Sequence, residues 1–322
     1  MTRRTLLRAA TALAAACLGA TIFRPARAAG PGLSTRLAGR PDGGLPITIL
    51  PPANRAAPHP ALIFSPGYGG RPSGFIRLVA PWVEAGFLLL LPEHLDSFAR
   101  GAPYRPSFAD LERYAELRIA DIDAMLTALP DLAARAGARV VPARVGLGGH
   151  SFGAWTAAVI AGATVCFPGG QQKSFADPRP AAFFLLAAPP VPPGADARHP
   201  FQGLAPASFG ALTRPLLLID GTRDNGPGGY RHRLAAYELS PPGHKYLGIV
   251  REGTHMTLAG IAPAGDAPLG ALAARALADV HALTLPFWQG FVAGRQESIA
   301  WLNGPAPYAI DPASFIFARR LA

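Results

Sequence analysis

The stretch Gly149-His150-Ser151-Phe152-Gly153 constrains the fold more than any other part of this chain. It follows Val145-Gly146-Leu147-Gly148, an apolar run of strand length, and precedes residues 154–160, a run of small and apolar residues that can wind as a helix. The order is strand, sharp turn, helix. A serine at the tip of such a turn adopts a strained backbone conformation, and small residues on either side let strand and helix approach each other. In a chain with 36 glycines the pentapeptide alone recurs by chance, so the flanking pattern is what makes it specific. The turn lifts the serine oxygen clear of the sheet, and the helix behind it aims free N–H groups at the site where negative charge would develop. Ser151 is therefore the candidate nucleophile.

The chain around this turn has 322 residues, 50% apolar and 16% charged, enough to bury a large core in one globular domain. A formal charge of +10 suggests nucleic acid until it is located. Residues 1–28 hold Arg3, Arg4, Arg8, Arg24 and Arg27 and no acid, which leaves 25 basic and 20 acidic residues, net +5, in the remainder. Those cations are arginines scattered among acids, with Lys173 and Lys245 the only lysines, so no nucleic-acid partner is expected. Cys17 lies near the N-terminus and Cys166 stands alone after it, without metal-type or redox-type spacing. No metal and no cofactor are expected.

Thr2-Arg3-Arg4-Thr5-Leu6-Leu7-Arg8 resembles the twin-arginine export motif. The short apolar segment 9–23 follows it, and Ala26-Arg27-Ala28 fits a cleavage site. Residues 1–28 are read as a signal peptide recognised by the twin-arginine export machinery. That places the mature chain, 29–322, in the periplasm or outside the cell with no stable membrane span; an uncleaved anchor is the alternative.

Beyond the leader, buried strands alternate with helices. Pro46-Ile47-Thr48-Ile49-Leu50 reads as an early strand, and Ala61-Leu62-Ile63-Phe64-Ser65 as one covered on both faces. The latter runs into Pro66-Gly67-Tyr68-Gly69-Gly70, whose glycines let the backbone come close to a substrate. In a serine hydrolase the loop at this place supplies an oxyanion donor, so the Tyr68 N–H is assigned that part with the Phe152 N–H as its partner. A helical pattern over 75–85 stops at Gly86, and Phe87-Leu88-Leu89-Leu90-Leu91 is the next strand. Glu93, His94 and Asp96 follow it; without a second ligand cluster they are expected to bond backbone in a loop rather than hold a metal. Residues 108–136 carry one long helical pattern, with Asp121 and Asp123 read as exposed or packing-related charges. Strands are expected at 181–186 and 216–220, a helix at 233–239, a final strand at 246–250, and closing helices over 269–302 with Leu272, Leu277, Leu283, Phe287, Phe291 and Trp301 in the core. Strands alternating with helices imply an α/β fold with a mostly parallel central sheet covered on both faces.

Serine needs a histidine to take its proton and a carboxylate to fix that histidine's tautomer. His255, in Glu252-Gly253-Thr254-His255-Met256 after the last expected strand, stands where a loop reaches back over the serine. Asp224, in Asp220-Gly221-Thr222-Arg223-Asp224, is far enough into its loop to turn towards His255; Asp220, at the strand's own end, is the alternative acid. Taken with Pro92-Glu93-His94, these motifs span roughly 45–302, and their joint order resembles an α/β-hydrolase of the group of predicted dienelactone hydrolases, platelet-activating-factor acetylhydrolases and cutinase-like polyester hydrolases. The resemblance implies an α/β-hydrolase fold and a secreted serine esterase that cleaves carboxylic esters through an acyl-enzyme on Ser151. True dienelactone hydrolases carry a cysteine where this chain has Ser151. A small-molecule, lipid or polyester ester is the implied partner, with a lipase, phospholipid acyl hydrolase or polyesterase as the alternative activity. Tyr68, Phe152 and Trp155 are expected to place aromatic surface at the site mouth. A catalytically silent periplasmic binding protein on the same fold is the rival from another class.

Overall fold

Runs of consecutive apolar residues require cover on both faces, and six of them lie side by side at the centre of this molecule. The computed structural model describes residues 32–39, 43–166, 171–192, 194, 203–225, 228–261 and 270–321. Residues 1–28, read above as a signal peptide and including Cys17, lie outside them. In chain order the strands are β1 (Leu33–Leu37), β2 (Leu45–Leu50), β3 (Pro58–Ser65), β4 (Leu88–Pro92), β5 (Arg139–His150), β6 (Val165–Cys166), β7 (Gln172–Lys173), β8 (Pro180–Leu186), β9 (Leu216–Gly221), β10 (Lys245–Val250) and β11 (Phe315–Arg320). The helices are α1 (Ile76–Glu84), α2 (Phe108–Thr127), α3 (Leu129–Arg135), α4 (Phe152–Ala161), α5 (Ala235–Glu238), α6 (Ala271–Phe291) and α7 (Gln296–Asn303). Nine strands form one sheet in the order β1-β2-β4-β3-β5-β8-β9-β10-β11, and β6 and β7 form a small separate ribbon. From β4 through β10 neighbouring strands are parallel, while β1, β2 and β11 are added antiparallel at the two sides.

Strand alternation divides the core in two. Ile63, Leu88, Leu90, Phe183, Leu185 and Leu218 face the layer made by α2, α3, α4 and α5. Their neighbours Leu62, Phe64, Leu89, Leu91, Phe184 and Leu217 face α1, α6 and α7. On the second face Trp82 packs edge-on against Phe184 and Trp288 at 6.0 Å, and its indole N–H donates to Thr284 Oγ1 at 3.1 Å. Such burial stabilises by roughly 1.5–3 kcal/mol per large side chain.

Four expectations are corrected. β11 follows the strand expected to be last, pairing with β10; its apolar run Phe315-Ile316-Phe317-Ala318 is short, ends at Arg319 and Arg320, and buries Phe315 and Phe317 but exposes Ile316. The pattern over 108–136 is two helices, because Pro130 stands in the first turn of α3, where its missing N–H costs nothing. The helix at 233–239 shrinks to a 3₁₀ turn, Tyr230–Arg233, and the single turn of α5. Leu272 is exposed near the start of α6; Leu277, Leu283 and Phe287 are buried, and Phe291 and Trp301 pack half-buried on the same core.

Candidate active site

The carboxyl ends of the parallel strands converge on one edge of the sheet, and the polar residues of the loops there meet. β5 delivers Ser151 at φ 55°, ψ −117°, a left-sided conformation that a non-glycine residue keeps only when its surroundings enforce it. The Ser151 N–H donates to Leu186 O at 2.9 Å, and its carbonyl accepts from the Trp155 N–H at 3.0 Å, the first bond of α4. Both flanking glycines are demanded by contact. A Cβ on Gly149 would lie 2.3 Å from the Gly153 carbonyl, and one on Gly153 would lie 1.9 Å from Ser65 O. Strand β5, strand β3 and helix α4 are thus packed backbone to backbone around Ser151.

The loops after β9 and β10 are stitched together. Arg223 N–H donates to Gly253 O at 2.9 Å, Glu252 N–H to Thr222 Oγ1 at 2.9 Å, and Arg223 pairs with Glu252. His255 Nδ1 lies 2.7 Å from Asp224 Oδ2. A carboxylate only accepts, so Nδ1 carries the proton and Nε2 keeps a lone pair. The other oxygen of Asp224 is paired with Arg233 at 2.9 Å, and Arg233 also donates to Ala188 O at 2.8 Å. Asp220, fully buried, accepts from the Gly221 N–H through Oδ1 at 2.7 Å, while Oδ2 has no partner among the described residues. Burial, and next the charge of Asp224, push the Asp220 carboxyl well above the usual carboxylate range. Of the two carboxyls considered from sequence, Asp224 is the one bonded to His255.

His150 supports the histidine from the other side. Its Nε2–H donates to the His255 carbonyl at 2.8 Å, and the two rings stand 4.6 Å apart. Burial, then the neighbouring His255, push His150 down to about 3, so it is a neutral donor. The 66–70 loop closes the site: a Cβ on Gly67 would sit 3.2 Å from Ser151 Cβ. Gly69 N–H is held by Asp96 O and Gly70 N–H by Gly67 O, both at 3.0 Å, whereas the Tyr68 N–H has no partner among the described residues. Phe152 is the first residue of α4, so its N–H stands at the positive end of that helix.

The aromatic mouth is only partly as expected. Phe152 and Trp155 are 2% exposed and face the core, leaving Tyr68 at the surface. Tyr68 donates to Pro103 O at 2.6 Å and packs edge-on to Phe98 at 5.7 Å. A groove of about 890 Å³ opens beside it, lined by Tyr68, Phe75, Ile76, Phe98, Met256 and Ile261.

Sequence reasoning missed three participants. Arg233 and His150 have charged or carbonyl partners that no local pattern announces. His94, expected to bond backbone, instead lies between Ser65 Oγ at 2.9 Å and Asp121 Oδ2 at 2.7 Å, and Asp96 is paired with Arg118. Asp121 is accordingly buried, while Asp123 is exposed and pairs with Arg179. Among the described residues no group of His, Cys, Asp and Glu is arranged to hold a metal ion, and no helix is long and apolar enough to cross a membrane.

A mostly parallel sheet with helices on both faces, and a serine elbow between β5 and α4, define the α/β-hydrolase fold. Solved structures share it. The chain is similar to a ferulic acid esterase from Streptomyces cinnamoneus at 20% identity and TM-score 0.58, over 82% of this chain and 89% of that one. It is also similar to Thermogutta terrifontis esterase 2 phosphorylated by paraoxon, at 16% identity and TM-score 0.56, over 83% and 97% of the two chains. The same esterase phosphonylated by cyclosarin aligns with TM-score 0.57 at 16% identity, again over 83% and 97%. No family model matches the sequence, and the search of curated proteins found no relative.

Proposed function

We propose that the chain is a serine hydrolase of carboxylic esters that needs no cofactor. The observation that carries this reading is the bonded His255–Asp224 pair on the loops beside a left-handed Ser151 whose neighbouring loop presents an unpartnered Tyr68 N–H. In this reading Ser151 Oγ attacks the ester carbonyl carbon while His255 Nε2 takes the hydroxyl proton. The carbonyl oxygen, now an oxyanion, is held by the Tyr68 and Phe152 N–H groups. On collapse the ester C–O bond breaks, the leaving alcohol takes the proton from His255, and the acyl group stays on Ser151. Water attacks next with His255 again as base, releasing the acid and restoring the serine. Asp224 holds the imidazole in the Nδ1–H tautomer throughout and stabilises its charged form.

The groove favours esters with an apolar or aryl substituent. Its lining is mostly carbon, and Ile76, Phe98 and Met256 are exposed along it. The ferulic acid esterase among the structural neighbours makes aryl esters the first class to test. The same exposed apolar residues favour, as a second reading, a lipid or polyester chain laid along the groove. The Arg3-Arg4 leader supports export to the periplasm or beyond, checked by the N-terminal residue and compartment of the mature protein.

The test is hydrolysis of nitrophenyl esters of rising acyl length by the mature chain, with Ser151→Ala alongside. The expected outcome is a Ser151-dependent rate, with turnover lower by a factor on the order of 10⁴–10⁶ in the variant. A maximum at short acyl or aryl groups supports a small-ester enzyme, and one at long chains supports the lipid or polyester reading. Full activity in Ser151→Ala would refute the mechanism. Failure of a fluorophosphonate to label Ser151 in the wild type would favour a silent binding protein.

A further inference from the structure

Behind the 66–70 loop lies a chain of buried polar groups that the reaction above does not use. Ser65 ends β3, His94 and Asp96 follow β4, and Arg118 and Asp121 stand three residues apart on one face of α2. The start of α2 is fixed by a capping box, in which Ser107 Oγ accepts from the Asp110 N–H and the Asp110 carboxylate accepts from the Ser107 N–H. All five side chains are at most 2% exposed. Burial on this scale destabilises unless every group is satisfied, so the pattern of bonds is informative.

Their donors can be assigned. A guanidinium only donates. Arg118 gives Nε and one terminal nitrogen to the two oxygens of Asp96, at 3.0 and 2.6 Å. Its remaining donors reach Pro66 O at 2.7 Å, Gly67 O at 3.2 Å and Ser65 Oγ at 3.2 Å. Because the Ser65 oxygen accepts from Arg118, its own proton is free for His94 Nε2, which leaves Nδ1–H to donate to Asp121. Burial, then the Arg118 charge, hold His94 below its ordinary value, in keeping with a neutral ring.

The consequence lies in one peptide plane. In a trans peptide the carbonyl and the following N–H point in opposite directions. Arg118 holds the Gly67 carbonyl, so the Tyr68 N–H of that same peptide points away from Arg118. The loop's other face is the one on which Gly67 closes against Ser151. The next peptides are tied as well, Gly69 N–H to Asp96 O and Phe98 N–H to Gly69 O. The Arg118 guanidinium also lies over the Phe152 ring, 4.5 Å from its centroid, so one cation contacts both the peptide that carries the Tyr68 N–H and the side chain of Phe152.

We propose that Arg118, oriented by Asp96 and by the Ser65–His94–Asp121 chain, is a positioning residue that aims the Tyr68 N–H at the developing oxyanion. The proposal rests on the esterase reading. A donor set for the oxyanion matters more in the transition state than in the bound ester, so its loss lowers kcat and leaves KM almost unchanged.

The experiment compares wild type, Arg118→Lys, Arg118→Met and Ser65→Ala as full mature chains. Nitrophenyl butyrate turnover is expressed per active site titrated with a fluorophosphonate, together with the affinity of a trifluoromethyl ketone that forms a tetrahedral oxyanion. Lysine keeps the charge but cannot serve Asp96, Ser65 and two carbonyls at once. Arg118→Lys is expected to lose about 10- to 100-fold in kcat and a similar factor in ketone affinity, with KM within about twofold, and Arg118→Met more. Ser65→Ala is expected to lose a few-fold in both. A merely structural role would lower the melting temperature and the titrated fraction while kcat per site and ketone affinity stayed at wild-type values, which would overturn the proposal. If the Arg118 variants do not fold, Ser65→Ala carries the test, and an unchanged kcat and ketone affinity there overturns it. If the wild type neither turns over nor labels, the esterase reading has failed on its own. Hydrogen exchange of the 67–70 amides then decides: faster exchange confined to them in Arg118→Lys, or in Ser65→Ala, upholds the positioning, and unchanged exchange overturns it.

Discussion

Removing the charge of Asp224 tests the paired carboxyls beside His255. Asp224 is 2% exposed and shares its oxygens between His255 and Arg233, itself 8% exposed. Deleting one partner of so buried a pair costs about 3–5 kcal/mol when nothing replaces it. Here something does. Burial and the Asp224 charge push the Asp220 carboxyl up, while the Gly221 N–H bond and Arg233 pull it the other way. In Asp224→Asn the carboxylate opposition is gone, so Asp220 ionises more readily and neutralises part of the Arg233 charge. The single substitution is therefore expected to cost about 1–3 kcal/mol and Asp220→Asn, which removes a carboxyl whose ionisation burial already opposes, about 0–1 kcal/mol. The double variant recovers the full penalty of about 3–5 kcal/mol, giving a coupling of about 1.5 kcal/mol. Urea unfolding of the four proteins at pH 7.5 measures it. Turnover separates the roles, with a loss on the order of 10³–10⁴ in Asp224→Asn, whose amide does not hold the Nδ1–H tautomer, and a few-fold at most in Asp220→Asn. Stabilities that add within about 0.5 kcal/mol, or equal losses of turnover in the two single variants, would refute the reasoning.

Two further outcomes follow from the same contacts. Gly153→Ala places a Cβ 1.9 Å from Ser65 O and 2.6 Å from its carbonyl carbon, where only backbone could yield; a loss above about 4 kcal/mol or no soluble protein is expected, and a wild-type melting curve would contradict it. His150 is held at about 3 against an ordinary 6.5, so between those values the unfolded chain binds the proton and the folded one does not. Its contribution to stability is complete above pH 6.5 and is lost as pH falls, by about 2 kcal/mol at pH 5. His150→Gln, which keeps a donor for the His255 carbonyl, should lose correspondingly less between pH 8 and 5 in urea unfolding; an unchanged pH dependence would count against a buried neutral His150.

The parts of the fold legible in the sequence are those whose cause is local. Ala61-Leu62-Ile63-Phe64 and Leu88-Leu89-Leu90-Leu91 are unbroken apolar runs because the two layers of core take alternate residues from each. The paired glycines around Ser151 mark a turn because their Cβ positions are occupied by backbone. The edges were illegible for the converse reason. β1 alternates half-buried and exposed residues and does not separate from loop by composition, and the apolar start of β11, Phe315-Ile316-Phe317-Ala318, is cut short by Arg319 and Arg320.

The polar partners were hidden by sequence distance rather than by weak signal. His94 is 29 residues from Ser65 and 27 from Asp121, and these meet because β3 and β4 are parallel neighbours with α2 crossing beside them. Yet they share a mark that needs no partner to be read. Ser65, His94, Ser151 and Asp220 each stand at or just beyond the carboxyl end of an apolar parallel strand, the edge where open α/β sheets gather their ligand-binding groups. A polar residue closing an apolar strand on that edge is already at the site, whichever neighbour it bonds. By that criterion His94 belonged with Ser151 from the start, and its buried side-chain bonds, in place of the expected backbone ones, are what the topology requires of a polar group so enclosed.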